Sequence, residues 1–247
     1  MSNLKFPKAI RSMPGAIDTL NCFRKFYSDD KYGFPYIIGT DFIPDDMQMF
    51  DYFKTKPNTC THFFIDDYRF ETVWNRPFEA LKILKKSKIV LSPTFSTFQD
   101  DPKIVQMWNT YRNRWCGAFW ESEGIKVIPS IVTAGKESYN FAFRGIIKHS
   151  VVATMRLGKN RPYHNLENDP GYNAIMEHID PMAILLYAEN FETSNPKVFV
   201  YSTFWEQRRQ SLKEQKEMKY KHAEELKIIE AKRKSLLPKE KKITIAW

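Results

Sequence analysis

The sequence predicts an α/β domain made mainly of parallel βα units, TIM-like or a partly closed barrel, followed by a basic C-terminal helix. Two observations carry this expectation. Apolar, β-branched runs recur as YIIGT (36–40), THFFID (61–66), KIVLS (88–92), IKVIPSI (125–131), SVVATMR (150–156), MAILLYA (182–188) and KVFVY (197–201). Most are too continuously apolar for a sheet with one wet face, so they read as strands covered on both sides. The middle runs also follow one another at roughly 25–37 residues, the length that a strand, a crossover helix and two short loops consume. Seven candidate strands fall short of a full barrel.

Taken in order, residues 1–35 are broken by Pro7, Pro14 and Gly33 and predict an irregular cover. The α/β domain is expected over 36–204. Its first helix starts near Pro77 and runs to Lys86, with Phe78, Leu81 and Leu84 inward. The next is DPKIVQMWNTYRNRWCGAFWESEG, where Asp101 can cap, Pro102 suits the first helical position and Gly124 can close the end. Ile104, Trp108, Tyr111, Trp115 and Phe119 recur at three and four, a stripe to lay on the sheet. A third helix is expected over Tyr172 to His178.

From 205 to 247 the composition turns to Lys, Glu, Gln and Arg without glycine, which favours a long helix to about Leu237, stopped by Pro238. Its heptad seam alternates Leu212, Leu226, Ile229 and Leu236 with Gln215, Lys219, His222 and Arg233, too polar for a stable coiled coil. The terminal ITIAW alternates like an edge strand able to join a sheet edge, its own or a partner's.

With 247 residues, 43% of them hydrophobic and 15% aromatic, the chain can bury one substantial core. No run approaches the roughly 18 apolar residues of a spanning helix. The start, MSNLKFPKAIRSMPG, lacks the apolar core of a signal peptide, so a cytoplasmic, membrane-free protein is expected. Cys22, Cys60 and Cys116 form no CxxC pair and read as reduced thiols. The net charge of +9 is uneven: residues 205–247 hold 13 Lys+Arg against 7 Asp+Glu, the rest of the chain 25 against 22. Cations and anions read as spread around the tail, which makes a solvated or partner-bound helix the default there.

Nine glycines occur without GxGxxG or GxxxxGK[ST], and there is no GxSxG. Nucleotide-loop, Rossmann and serine-hydrolase chemistry therefore lack their motifs, and no cofactor is named. His62, His149, His164, His178 and His222 are scattered without HExxH, so no metal site is assigned.

Parallel folds collect ligands at the carboxyl ends of their strands. The residues expected there are Asp41, Asp66 and Asp67, Ser92 and Thr94, Ser130 and Thr133, Arg156, Glu189, and Tyr201 and Ser202. Asp66, Asp67, Asp41 and Glu189 are the candidates for acid/base work or a divalent metal. Arg69, Ser92, Asn109, Arg112 and Arg156 are the candidates for holding a ligand. The structural alternative is equally physical, since polar residues end strands wherever the chain returns to water. Adjacent Asp66 and Asp67 would face opposite sides of a strand and cannot pair with each other. Arg69 and Glu71 read as ion-pair partners. YRNRW interleaves basic and aromatic residues and could stack on a nucleic acid, or simply build core.

FIDDYRFE with Trp74, VLSPTFS (90–96), WNTYRNRWCGAFW (108–120), IKVIPSI and the SYNFAFRGI to HSVVA stretch together resemble the bacterial and phage family called domain of unknown function 4417, over roughly residues 60–190. The resemblance implies an intracellular protein of a kind phages and mobile elements carry, and it attaches no activity. Asp66, Asp67, Arg69, Ser92, Asn109, Arg112 and Gly117 match the family's pattern. Thr94 and Asn140 stand where the family usually has acids, and its glycine after the late strand is replaced near Ala188 and Glu189.

Three functions are then open. One is an accessory protein in nucleic-acid transactions, contacting DNA or RNA through Arg112, Arg114, Arg208, Arg209, Lys232, Arg233 and Lys234. The second is an enzyme with carboxylates at the strand ends. The third is an effector that presses its tail on a protein partner.

Overall fold

The computed structural model describes residues 26–28, 31–51, 53, 57–156 and 166–236, the last without the side chains of 230, 231 and 233–236. ITIAW and most of the expected 1–35 cover lie outside them. The chain divides into two units, residues 1–202 and 203–247.

In the first unit, β1 (Met47–Met49), β2 (Cys60–His62), β3 (Ile89–Leu91) and β4 (Val127–Ile128) pair in chain order, every pairing parallel. β5 (Val151–Arg156), β6 (Ala183–Ala188) and β7 (Val198–Ser202) form a second parallel sheet, also in chain order. One isolated parallel bridge, Ser130 to Ala153, links the loop after β4 to β5. Among the described residues no ladder joins β7 to β1, so the barrel is not closed. The Tyr201 hydroxyl donates to the Pro44 carbonyl between those two edges.

Successive side chains in a strand point to opposite faces, and here both faces are dry. One face gathers residues from all seven strands into a single cluster, with Met47, Cys60, Leu91, Ile128, Ala153 and Leu185 buried and Tyr201 packed against them. The other face divides. Val90 and Val127 pack with Trp115, Phe119 and Trp120; Val152, Ile184, Leu186 and Val198 pack with Ala174, Ile175 and Ile179. Each large apolar side chain so buried contributes about 1.5–3 kcal/mol, which selects this register over a one-residue slip.

The first strand is displaced from its expected place. YIIGT forms no ladder: Ile37 makes one bridge to Ile146, and the Ile38 and Gly39 N–H groups donate to the Glu121 carboxylate at 2.8 and 2.7 Å. A side chain has taken the role of a neighbouring strand. The true β1, MQM, is three residues around a polar Gln48 and offers no apolar run to detect.

The helices of this unit are α1 (Thr72–Asn75), α2 (Pro77–Leu84), α3 (Lys103–Ser122), α4 (Tyr139–Ala142) and α5 (Pro170–Ile179). Pro102 is the N-cap of α3 rather than its first residue, and Asp101 accepts the Phe98 N–H at 3.0 Å without capping the helix. Gly124, at φ +84, closes it. The expected stripe on α3 fails at its start, because Ile104 is 72% exposed, whereas every residue from Asn113 to Trp120 is buried. The second half of α3 is enclosed all round. Phe78 on α2 is also more exposed than expected, although its ring meets Phe119 edge-on. Asp169 caps α5 by accepting the Gly171 N–H at 2.9 Å, and Pro170 holds the first helical position.

The second unit carries α6 (Phe204–Leu236), opened by Thr203, whose hydroxyl accepts the Glu206 N–H at 3.3 Å. Among the described residues no helix is long and apolar enough to cross a membrane.

Candidate functional site

The carboxyl ends of β2, β3 and β4 hold a buried polar network, and α3 supplies most of it. Ser92, directly after β3, donates through Oγ to Asn113 Oδ1 at 2.9 Å and accepts the Ser130 N–H at 2.7 Å. Asn113 donates to the Pro93 carbonyl at 2.6 Å. Arg114 is 1% exposed; Nε donates to the Arg144 carbonyl at 2.8 Å, Nη2 to Ala142 at 2.6 Å, and Nη1 to Ser130 at 3.0 Å and to Asn113 Oδ1. Burial lowers its pKa to about 9, still above neutral pH, so a cation is held by carbonyl dipoles.

A second chain of bonds runs beside this network. Asp67 accepts the Ser96 N–H at 3.0 Å and its hydroxyl at 2.8 Å, and the Ser96 carbonyl accepts from Asn109 at 2.6 Å. Arg112 reaches Asn109 Oδ1 at 2.7 Å and Glu71 at 2.8 Å, its guanidinium 3.8 Å over the Phe95 ring. Thr94 donates to the Phe63 carbonyl.

Asp67, Asn109 and Arg112 are thus joined in one chain of bonds through Ser96, while Ser92 is bonded to Asn113 and Ser130. Gly117 belongs to the same packing, because a Cβ there would stand 2.3 Å from Ile37 Cδ1. The space left is about 10 Å³, although the Ser130 hydroxyl and Arg112 Nε have no partner. That holds one water at most.

Two expectations are corrected by this network. Glu71 pairs with Arg112, while Arg69 places Nη2 3.3 Å from the Met49 sulfur. The longer reach from α3 wins because it joins two elements in a partly buried place. Arg114, expected to contact nucleic acid, is enclosed, and its N–H groups are turned to carbonyls.

The expected catalytic carboxylates do not converge with Asp67. Asp66 is exposed, and Asp41 precedes β1 instead of ending a strand. Glu189 follows β6, next to Ala188, which pairs with Arg156 of β5. Among the described residues no group of three or more His, Cys, Asp or Glu could hold a metal ion. His62 stacks on Phe64 and meets the Tyr187 ring, and its Nδ1 accepts the Phe64 N–H at 3.2 Å. Burial pushes its pKa down to about 3, so it is a neutral core residue. Burial likewise raises the Cys60 thiol to about 12.

A different arrangement lies where the two sheets part. A cavity of about 270 Å³ opens between the loops after β3 and β4, the end of β5 and the start of α5. Thr97, Thr133, Arg156, Asp169 and Tyr172 give its polar wall, and Ile131, Ile175, Ile184 and Leu186 its apolar one. Arg156 was among the expected ligand-holding residues. Thr97 and Tyr172 were missed, since neither ends a strand. The Asp-Pro pair at 169–170, a helix-start signal, could have placed α5 against this region.

On α6, every side chain from Gln207 to Ile229 is exposed. At 3.6 residues per turn, Arg208, Arg209, Lys213, Lys216, Lys219 and Lys227 fall within one arc of about 140°, while Glu206, Glu214, Glu217, Glu224 and Glu225 occupy about 100° of the remainder. The charges that read as mixed along the sequence are therefore in part separated around the helix, with Lys221 and Lys232 falling among the acids. Lys232 is exposed; the side chains of Arg233 and Lys234 lie outside the described residues.

The chain is 35% identical over 207 residues to the Gene 1 protein of Mycobacterium phage L5, covering 80% of this chain and 90% of that one. It is 31% identical over 210 residues to the Gene 1 protein of Mycobacterium phage D29, covering 81% and 78% respectively. No solved structure matches. Residues 26–205 match a family profile spanning both sheets, the α3 network and the cavity, and ending where α6 begins: the chain belongs to the family Domain of unknown function (DUF4417).

Proposed function

We propose that the chain is a phage-type accessory protein that holds a nucleic-acid backbone along the cationic arc of α6. The observation that carries this reading is the grouping of charge: six exposed cations share one side, while the five acids, with Lys221 and Lys232 among them, lie elsewhere around the helix. A phosphate backbone rewards such an arc, because each neutralised phosphate releases condensed counterions. Exposed Trp205 and Tyr220 sit at the edges of the arc or within it and can stack on unpaired bases. The Gene 1 proteins of two mycobacteriophages are relatives, which favours a role in the phage setting.

A membrane surface is the less favoured occupant. A helix lying on lipid needs a continuous apolar face, whereas Leu212 and Leu226 lie among the cations and Ile228 and Ile229 elsewhere. Catalysis at the strand ends is also less favoured, since Asp67 is bonded to Ser96 and Asp41 precedes β1 instead of following a strand.

The test is fluorescence anisotropy of a labelled DNA duplex with the full chain at two salt concentrations. Six phosphate contacts predict a loss of about a thousandfold in affinity between 50 and 200 mM salt. The full-length variant Arg208→Gln, Arg209→Gln, Lys213→Gln, Lys216→Gln is expected to bind at least about tenfold more weakly with a shallower salt slope. Absence of binding at 50 mM, or a variant that binds like the parent, rejects the proposal.

A further inference from the structure

We propose that the groove bounded by Tyr36 and His178 binds an unpaired nucleic-acid strand, with its cations on the phosphates and its rings on the bases. This deepens the nucleic-acid reading and rests on it for the class of partner, not for the α6 contacts. The groove belongs to the first unit alone and lies within the span the family shares.

The groove holds about 570 Å³ between Tyr36, the loop that follows α4, and His178 and Ile179 at the end of α5. Its shape is fixed by the backbone. Gly145 sits at φ +71, where a Cβ would run into the Pro35 carbonyl, and its own carbonyl accepts the Ile37 N–H at 3.0 Å. The loop therefore lies directly on the 35–37 segment, with Phe143 and Ile146 buried beneath it.

The charge along the groove has one sign. Arg144 and Lys148 are exposed in its wall, and no carboxylate is among the residues that line it. The positive charge continues past the wall, because Lys31 Nζ lies 4.8 Å and the Arg144 guanidinium 5.6 Å from the centre of the half-exposed Tyr32 ring. Asp180, the acid that follows Ile179, is taken up by His149 at 3.3 Å and Lys197 at 3.4 Å. Such a groove attracts a polyanion.

The rings say which polyanion. Tyr36 stacks on Tyr27 with centroids 5.7 Å apart, and His178 stacks on Phe143 at 4.6 Å with the planes 11° apart. Each pair covers one face of its outer ring. Tyr27 is 75% exposed and His178 is exposed, so both stacks end in a face that a base can extend. A duplex keeps its bases stacked on one another and cannot offer them. An acidic peptide would satisfy the cations and leave the rings unused.

The experiment is fluorescence anisotropy of the full chain with labelled strands about twelve nucleotides long, within the range of known single-strand sites. The probes are oligo-dT, oligo-rU, an abasic strand of the same length and poly-glutamate. Expected is binding of oligo-dT or oligo-rU, their ratio separating DNA from RNA, with the abasic strand at least about tenfold weaker. Tyr27→Ala and His178→Ala are each expected to weaken binding of the base-bearing strand at least about fivefold. Lys148→Gln is expected to lower the salt slope by about 0.7. All three positions are exposed, so these changes leave the core intact, and duplex affinity should stay at the parent value. The same losses are expected in the chain that carries the four α6 substitutions. Strand binding that falls with the groove variants there upholds this inference even if duplex binding fails. The inference alone is overturned if duplex binds through α6 while the groove variants bind the strands like the parent. It is also overturned if neither base-bearing strand binds, or if the abasic strand or poly-glutamate binds as tightly.

Discussion

At the ends of β2, β3 and β4 the polar residues Asp67, Ser92, Asn109, Arg112, Asn113 and Arg114 are bonded to one another or to the neighbouring loops, and the gap beside Asn109, Asn113 and Arg114 is about 10 Å³. At the end of β5, Thr97, Thr133, Arg156 and Tyr172 line about 270 Å³ of space, and Thr97 Oγ1 and Arg156 Nη1 are buried without a partner. Both places lie at carboxyl ends of parallel strands, and both offer the residue types that sites are made of. The first cluster also contains unpaired atoms, Ser130 Oγ and Arg112 Nε, so an unpaired donor alone does not mark a site.

If the first place is structural, breaking it must cost stability. Arg114→Met removes this donor from the Ala142 and Arg144 carbonyls and leaves the Ser130 carbonyl with the 3.4 Å bond from Asn113. It is expected to lower unfolding free energy by ~3–5 kcal/mol in urea titrations. A loss under ~1 kcal/mol would mean that the network does not hold the loops.

A buried polar group of the inner core, His62, sharpens the contrast through pH. Its folded pKa is near 3, below the unfolded value of 6.5. Between these values the unfolded chain binds a proton that the folded chain refuses, so stability falls as pH drops from 6.5 towards 3. The slope from this residue is ~1.4 kcal/mol per pH unit. His62→Phe should flatten the acid limb of stability against pH by that amount, and an unchanged slope would show that His62 accepts its proton in the fold.

Packing gives a smaller effect at the first place. Gly117→Ala drives a methyl group against Ile37 and is expected to cost ~1–3 kcal/mol. Ile37→Val in the same chain should recover part of it. Smallest of all, Asp66→Asn lies exposed beside the network and should change stability by less than ~0.5 kcal/mol.

Much of this was legible from the residues. Six of the seven apolar runs overlap a strand, since full burial on both faces leaves an apolar run, and α2, α3 and α5 lie close to where periodicity and Pro placed them. YIIGT was misleading because an apolar run says nothing of what pairs with its backbone, and Glu121, more than 80 positions away, supplied the partner. The site was less legible. Ser92, Asn109 and Arg112 read as ligand residues because a sequence shows which polar groups are present and not whether they satisfy each other. Arg156 stood out only for ending a strand, and Thr97 has no local signal. The cationic arc of α6 was present in the spacing, but counting charges along the chain hid it where counting them around the helix would not.

The direct test compares two one-methyl-scale changes, Ser92→Ala in the network and Thr97→Val at the cavity, by urea unfolding of otherwise identical chains. Ser92 has both a donor and an acceptor bond to lose, so its variant should lose ~2–3 kcal/mol. Thr97 has none at its hydroxyl, so its variant should stay within ~0.5 kcal/mol of the parent or gain stability. Equal losses in the two variants, or a larger loss at Thr97, would contradict the division between a bonded end and an open one.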